Sequence, residues 1–153
     1  MSKFLNWRGA VAVVVLGFVL IQFVPYSAGN PSPRDEPKWD SPRTRALMMR
    51  ACGDCHTNET KVLVFEQVAP VKWYVANHVK EGRAALNFSE WHTAAGEKAR
   101  DAPEPIGEGS MPPANYTWLG LHGRSKLSAA ETKQLIDGLT KTIAADPPTR
   151  RGR

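Results

Sequence analysis

The chain has 153 residues, enough for one domain with length left for a membrane signal and a tail. Part of its formal charge of +5 comes from Arg150, Arg151 and Arg153 at the C-terminus, read as a solvated tail, which excludes nucleic-acid binding as the leading function. Two cysteines stand three residues apart, too close for a long-range disulfide framework and suited to a local redox, metal or cofactor site.

Lys3 and Arg8 precede an apolar run from Gly9 to Val24 that is interrupted only by Gln22, the layout of a secretory signal or a signal anchor over 1–28. Tyr26 occupies the outer of the two positions where a signal peptidase wants small residues. An uncleaved anchor is therefore favoured: a membrane helix holding the chain on the periplasmic side of the cytoplasmic membrane, with secretion to the periplasm after cleavage as the alternative. A buried core helix is disfavoured, because the run lies at the extreme N-terminus ahead of a breaker-rich segment. That segment, 29–38, is rich in proline and charge and is expected to be an extended, solvated linker.

The folded domain is expected over 39–146, with a basic tail over 147–153. Ser41-Pro42 offers an N-cap followed by proline at the first helical position, and Arg43 to Arg50 is rich in helix formers, so a first helix runs into the cysteines. Val71, Tyr74, Val75, His78 and Val79 share a face at helical spacing, predicting a second amphipathic helix that Gly82 is placed to end. Ser89 is a candidate cap for a shorter third helix through Trp91 to Arg100, and the proline- and glycine-rich stretch 101–115, which contains Met111, is expected to be loop. Ser128 and Glu131 form a capping box ahead of an apolar stripe of Leu135, Ile136, Leu139 and Ile143, which Asp146-Pro147-Pro148 terminates.

Cys52-Gly53-Asp54-Cys55-His56 is the CxxCH pattern of covalent c-type haem attachment. On a helical turn, positions i, i+3 and i+4 lie on one face, so both thiols can reach the two vinyl groups of one porphyrin while the imidazole meets the iron from the same side. The implied cofactor is one haem c (iron) per chain, linked through Cys52 and Cys55, with His56 as the proximal iron ligand. A structural disulfide, half of a zinc site and a thioredoxin-type dithiol compete with this reading. No second CxxC completes a zinc site, and the βαβ context of a redox CxxC is missing from the pattern.

The sixth iron ligand has to come from elsewhere, and Met111, in Gly109-Ser110-Met111-Pro112-Pro113, is the best candidate. A thioether is soft and neutral, favours ferrous iron and raises the potential, and the flanking glycines and prolines let an extended backbone pass close to the haem edge. The plainer reading is a loop methionine packed on the core. His122 is the alternative distal ligand, which would give bis-histidine ligation and a lower potential. His78 is read as a core histidine before a ligand, His92 as exposed, and Met48 and Met49 as core. The aromatics Phe65, Trp73, Tyr74, Phe88, Trp91, Tyr116 and Trp118 are read as packing that a haem would share. Asn87, Ser89 and Arg83 are candidates for hydrogen bonds to a propionate, set against a helix-cap and aromatic-anchor role for 87–91 and an exposed position for Arg83.

From about Ala51 to Ile143 the sequence resembles the small haem-binding domain family, whose members carry one CxxCH motif and often an N-terminal membrane segment. The likeness rests on Cys52 to Glu59, on Val68 to Trp91, on Met111-Pro112-Pro113, and on Leu121-His122 followed by Lys126-Leu127-Ser128. It departs from the family pattern at Gly123 and Arg124, where a proline and an acidic or small residue are expected; this bears on loop shape and not on haem attachment. The resemblance implies a monohaem c-type domain, periplasmic or membrane-facing, and no particular reaction. Met111 and His122 both match family positions.

The expected fold is all-α: a small cytochrome-c-like helical domain with long loops around one covalently attached haem, preceded by an N-terminal membrane helix. The leading function is one-electron transfer, an electron carrier in preference to an enzyme. Expected partners are periplasmic or membrane redox proteins, with membrane contact through the N-terminal segment and no nucleic acid. Two rivals stand beside it: a peroxidase-like haem enzyme with an open iron position and His78 or His122 as its acid-base group, and a haem sensor or accessory subunit.

Overall fold

A computed structural model of the chain describes residues 2–32, 34–117 and 122–149, with side chains from Asn6 onward. Trp118, Leu121 and the arginines of the C-terminal tail lie outside the described residues. The helices are α1 (Ser2–Gln22), α2 (Pro42–Ala51), α3 (Gly53–His56), α4 (Val71–Ala85), α5 (Ala94–Glu97), α6 (Pro103–Gly107) and α7 (Ala129–Ala145). Single 3-10 turns occupy Val64–Gln67, Lys98–Asp101 and Gly123–Ser125. The β contact among the described residues is an isolated parallel bridge between Asp35 and Glu90, so the chain is helical, as its periodicities predict. It divides into two compact units, Met1–Ala28 with Val62–Asn77 and Gly29–Lys61 with His78–Arg153, the division falling within α4.

The first unit is organised by Gln22, the one polar residue that interrupts the apolar run. Its side-chain amide accepts from Ala69 N at 2.8 Å and donates to Ala69 O at 3.2 Å, while Lys72 Nζ donates to the Gln22 carbonyl at 2.8 Å. Tyr26 adds a hydroxyl bond to Asn77. An amide that satisfies both backbone groups of one residue fixes register as well as proximity. In the same unit the Trp73 indole N–H is buried without a hydrogen-bond partner among the described residues.

Two expectations for the N-terminal run are corrected here. Among the described residues no helix is long and apolar enough to cross a membrane, which overturns both the N-terminal membrane helix and an anchored location on the periplasmic side of the cytoplasmic membrane. The physical reason is length. Asn6 and Arg8 precede the apolar part of α1 and Gln22 closes it, leaving Gly9 to Ile21. At roughly 1.5 Å per residue that segment rises about 20 Å, against a hydrocarbon core about 30 Å thick.

In the second unit, α2 starts as its sequence requires. Ser41 is extended and its hydroxyl accepts from Thr44 N, with Pro42 at the first helical position where its missing N–H costs nothing. A helix of 10 residues is marginal alone, so α2 depends on packing. Leu47 and Met48 on its inner face join Phe88, Trp91, Ile106, Leu135 and Leu139 in one apolar core. Phe88 stacks on Trp91 with centroids 6.0 Å apart, and Trp39 tilts against Phe88 at 5.9 Å. Met48 is fully buried and Met49 packs against the same core, as the sequence indicated. α2 packs closely on α7 at Gly138, where any Cβ would overlap the Thr44 side chain.

Four local expectations change. The linker is extended but docked: Asp35 N donates to Ser89 O and Trp91 N to Asp35 O, both at 2.8 Å, and Pro37 is buried. Because these backbone groups find partners on 89–91, residues 34–38 behave as an edge of the domain. Thr93, not Ser89, caps the third helix, its hydroxyl accepting from Ala95 N and Gly96 N. Part of the 101–115 stretch is helical, as α6, since Pro103 stands in the first turn where proline is tolerated. His92 is largely buried, its Nδ1 2.8 Å from Asp35 Oδ2 and its Nε2 3.5 Å from Asp146 Oδ1.

The capping box of α7 forms as predicted, Glu131 N donating to Ser128 Oγ at 3.3 Å and Ser128 N to Glu131 Oε2 at 3.0 Å. Arg50 and Arg43 of α2 reach the same carboxylate at 2.7 Å and 3.2 Å. The Ser128 backbone N–H, then Arg50, hold the Glu131 carboxyl down to about 2, below its ordinary 4.5. A depressed carboxyl stabilises the fold above its unfolded value and loses that contribution as pH falls through the folded one. Glu131→Gln is therefore expected to lower the urea midpoint at neutral pH, and its gap to the parent protein to close between pH 4.5 and 2. A gap that stays constant across that window contradicts the assignment.

Candidate functional site

The CxxCH segment is a single helical turn mounted on the end of α2. Cys52 N donates to Met48 O at 2.8 Å, closing α2, and Cys55 N and His56 N both donate to Cys52 O, at 3.2 Å and 2.9 Å. The three side chains that the spacing singles out therefore issue from one turn, α3. No disulfide joins Cys52 and Cys55, and both are partly exposed. Burial, and secondarily the nearby Cys55, pushes the Cys52 thiol up to about 12. That is the opposite of the depressed thiol of a redox CxxC, which needs a ready thiolate. Among the described residues no group of three or more His, Cys, Asp or Glu is placed to hold a metal ion by itself.

His56 is oriented by α4 and the turn that follows it. Its Nδ1 lies 3.0 Å from the carbonyl oxygen of Leu86. A carbonyl can only accept, so Nδ1 carries the proton and a neutral ring keeps its lone pair on Nε2, the arrangement of an imidazole set up to ligate a metal. The His56 carbonyl in turn accepts from Phe88 N at 2.8 Å, tying the turn to the aromatic core.

Gly82 explains how α4 comes so close. Expected to end the helix, it lies inside it: α4 continues to Ala85, and Leu86 N still donates to Gly82 O at 2.8 Å. A Cβ at position 82 would stand 2.6 Å from the Cys55 carbonyl oxygen and 3.1 Å from Cys55 Cβ. The glycine is there because the CxxCH turn crosses the helix at that point. The face of α4 also differs from the predicted one. Ala76 and Val79 are buried, whereas Val71, Tyr74 and His78 are exposed, because the buried line follows the Gly82 contact and not the most apolar stripe.

The chain leaving the motif is held by a dense polar net. Thr57 Oγ1 donates to Gly53 O at 2.6 Å. The half-buried Arg83 donates to Thr57 O at 2.8 Å, to Thr60 Oγ1 at 2.9 Å, and to Gly29 O and Asn30 Oδ1 at 2.9 Å and 3.0 Å. Desolvation lowers the Arg83 pKa, opposed by Glu90 and Cys55. Asn87 bonds Asn58 and Glu90 through Nδ2 and receives Ser89 N on Oδ1, each at 3.0 Å, and Ser89 Oγ accepts from Asn58 N at 2.9 Å. Asn87 and Ser89 thus shape the loop after the motif, and Arg83 is neither exposed nor idle.

The loop carrying both distal candidates follows α6. Ser110 N and Met111 N donate to Pro105 O at 3.0 Å and 3.1 Å, after Gly109 turns the chain at φ +75°, a conformation that favours glycine. Met111 is 38 % exposed, so it is not a core methionine. His122 lies with its ring stacked on Tyr116, centroids 4.1 Å apart, and its Nδ1 3.1 Å from the Tyr116 carbonyl. The Tyr116 hydroxyl donates to Asp54 Oδ2 at 2.7 Å. Burial, reinforced by the Asp54 carboxylate, drives that hydroxyl well above the ordinary tyrosine range, so it stays a donor.

The structure thus gathers Cys52, Cys55 and His56 on one turn and connects His122 to that turn through Tyr116 and Asp54. Met111 stands on the same loop as Tyr116, His78 is exposed on α4, and His92 is engaged with Asp35 and Asp146. Sequence reasoning missed Asp54 and Tyr116 as site residues. The available signals were weak: Asp54 fills a variable position of CxxCH, and Tyr116 is one aromatic among many. Gly82→Ala is expected to cost about 1–3 kcal/mol through overpacking, read by urea denaturation. Unchanged stability would mean that the crossing can open without loss.

A match to the haem-binding domain family spans residues 16–141, taking in the CxxCH turn, Met111 and His122. No curated protein and no solved structure matches the chain. With the match extending over most of the sequence and the CxxCH side chains gathered on one turn, the chain belongs to the haem-binding domain family and is a haem-binding protein.

Proposed function

We propose that this haem-binding protein is a monohaem c-type electron carrier, with one haem linked through Cys52 and Cys55, His56 as proximal ligand and Met111 as distal ligand. The observation that carries the reading is the α3 turn, with two thiols unbridged to each other and an imidazole whose Nδ1 is spent on the Leu86 carbonyl, leaving Nε2 for iron. The residues present fit the group. Cys52 and Cys55 would hold the group by thioether bonds, each thiol and vinyl group combining with no net oxidant or reductant. A bound haem would supply a one-electron couple between ferric and ferrous iron.

The other residues hold this arrangement in place. Leu86 orients His56, Gly82 admits the turn against α4, and the net around Thr57, Asn58 and Arg83 fixes the chain on leaving it. Met111, neutral and half exposed, suits a distal thioether that raises the potential. His122 is the second reading for that position, which would give bis-histidine ligation and a lower potential. Catalysis finds less support, since His78 lies exposed on α4. Partners are other one-electron redox proteins, and the net charge of +5 favours acidic faces on them, an attraction that salt weakens.

Expression with haem-maturation machinery tests this directly. Cys52→Ala and Cys55→Ala are each expected to reduce two thioether links to one or none; full two-link attachment in either variant refutes the site. Optical spectra of the parent should show six-coordinate low-spin haem with a weak far-red ferric band that Met111→Ala abolishes. An unchanged low-spin spectrum in that variant moves the distal ligand to His122, and a high-spin parent that binds cyanide moves the function to catalysis or sensing.

A further inference from the structure

Tyr116 stands between the two distal candidates in sequence and does three things at once. Its hydroxyl donates to Asp54 Oδ2 at 2.7 Å, its ring lies on the His122 imidazole at 4.1 Å and 13°, and its carbonyl takes His122 Nδ1 at 3.1 Å. Asp54 is itself immobilised, since Oδ1 accepts from Lys61 N at 2.9 Å and its carbonyl accepts from Thr60 Oγ1 at 2.7 Å. Asp54 lies between the two cysteines, so this chain of contacts links the attachment turn to the 109–117 loop and to His122. Among the described residues no hydrogen bond holds the Met111 side chain, which projects half exposed from that loop.

We propose that Tyr116 is the positioning residue of the distal side: it ties the loop to the attachment turn through Asp54 and, by engaging His122 on one ring face and at Nδ1, leaves the sixth iron position to Met111. Withdrawing His122 from Tyr116 would forfeit both the stack and the Nδ1 bond, whereas moving the Met111 side chain forfeits neither. The tether therefore selects between two ligands that the loop offers. This inference rests on the electron-carrier reading and extends it to the choice of ligand.

The test compares haem-loaded parent, Tyr116→Phe, Tyr116→Ala, His122→Ala and the double variant Tyr116→Ala/His122→Ala by ferric far-red absorption and reduction potential, with thioether count and far-UV circular dichroism recorded for each. Tyr116→Phe keeps the stack and loses only the Asp54 bond, so most of the methionine band should survive. Tyr116→Ala should lose the band and fall in potential as His122 takes the iron. His122→Ala alone should leave band and potential as in the parent, and adding it to Tyr116→Ala should bring the band back.

A Tyr116→Ala protein with the parental band and potential overturns the tether while leaving the carrier reading intact. A parent that is already bis-histidine overturns the ligand choice, and a parent without covalent haem fails earlier, at Cys52 and Cys55. Should Tyr116→Ala fail to fold, the His122→Ala spectrum still decides: loss of the low-spin spectrum there overturns the proposal, and an unchanged methionine band supports it.

Discussion

The CxxCH turn can exist where it does only because α4 carries no side chain at position 82. With a Cβ there standing 2.6 Å from the Cys55 carbonyl, the helix would have to withdraw, and the Leu86 carbonyl that fixes His56 would withdraw with it. Arg83, the next residue, would lose its reach to Thr57 and Thr60. One close backbone contact therefore sets the orientation of the His56 imidazole and the path of the chain that leaves the motif. The remaining polar bonds refine an arrangement that this contact makes possible.

Energetically the site leans on the core next to it. Surface pairs such as Lys133 with Asp137 contribute on the order of 0–1 kcal/mol, and the N-cap of α2 about 1 kcal/mol. Leu47, Met48, Leu135 and Leu139, all fully buried, contribute roughly 1.5–3 kcal/mol each relative to exposure. Phe88 and Trp91 add their stack and lie immediately beyond the loop that receives the His56 carbonyl. The aromatics expected to surround a cofactor divide into two groups. Phe88 and Trp91 serve the fold, whereas Phe65 and Tyr74 are exposed at 41 % and 56 %.

The region of Tyr116 and His122 is built on a different principle. A hydroxyl, a carboxylate and a stacked ring hold it. Contacts of this kind are directional and individually worth about 1 kcal/mol, which suits a loop that must hold one geometry without being frozen into the core. Asp54 joins the two sides, because the residue between the cysteines is also the one that Tyr116 grips.

By itself the sequence determined the elements that depend on local rules: the Ser41-Pro42 start of α2, the Ser128 to Glu131 capping box of α7, and the cysteines and histidine of one helical turn, since caps and i, i+3, i+4 spacing are properties of neighbouring residues. It also placed Met48 and Met49 correctly in the core. Other features were decided by contacts that no local pattern encodes. Gly82 looked like a helix stop and is a crossing point; the proline-rich 34–38 segment looked like a free linker and pairs with 89–91; His92 looked exposed and is enclosed by Asp35 and Asp146. Asp54 and Tyr116 are 62 positions apart, and only folding brings a carboxylate and a phenol from such distant points to 2.7 Å. Periodicity shows which residues can share a face, but which face is buried, and against what, is settled by the partner that packs there.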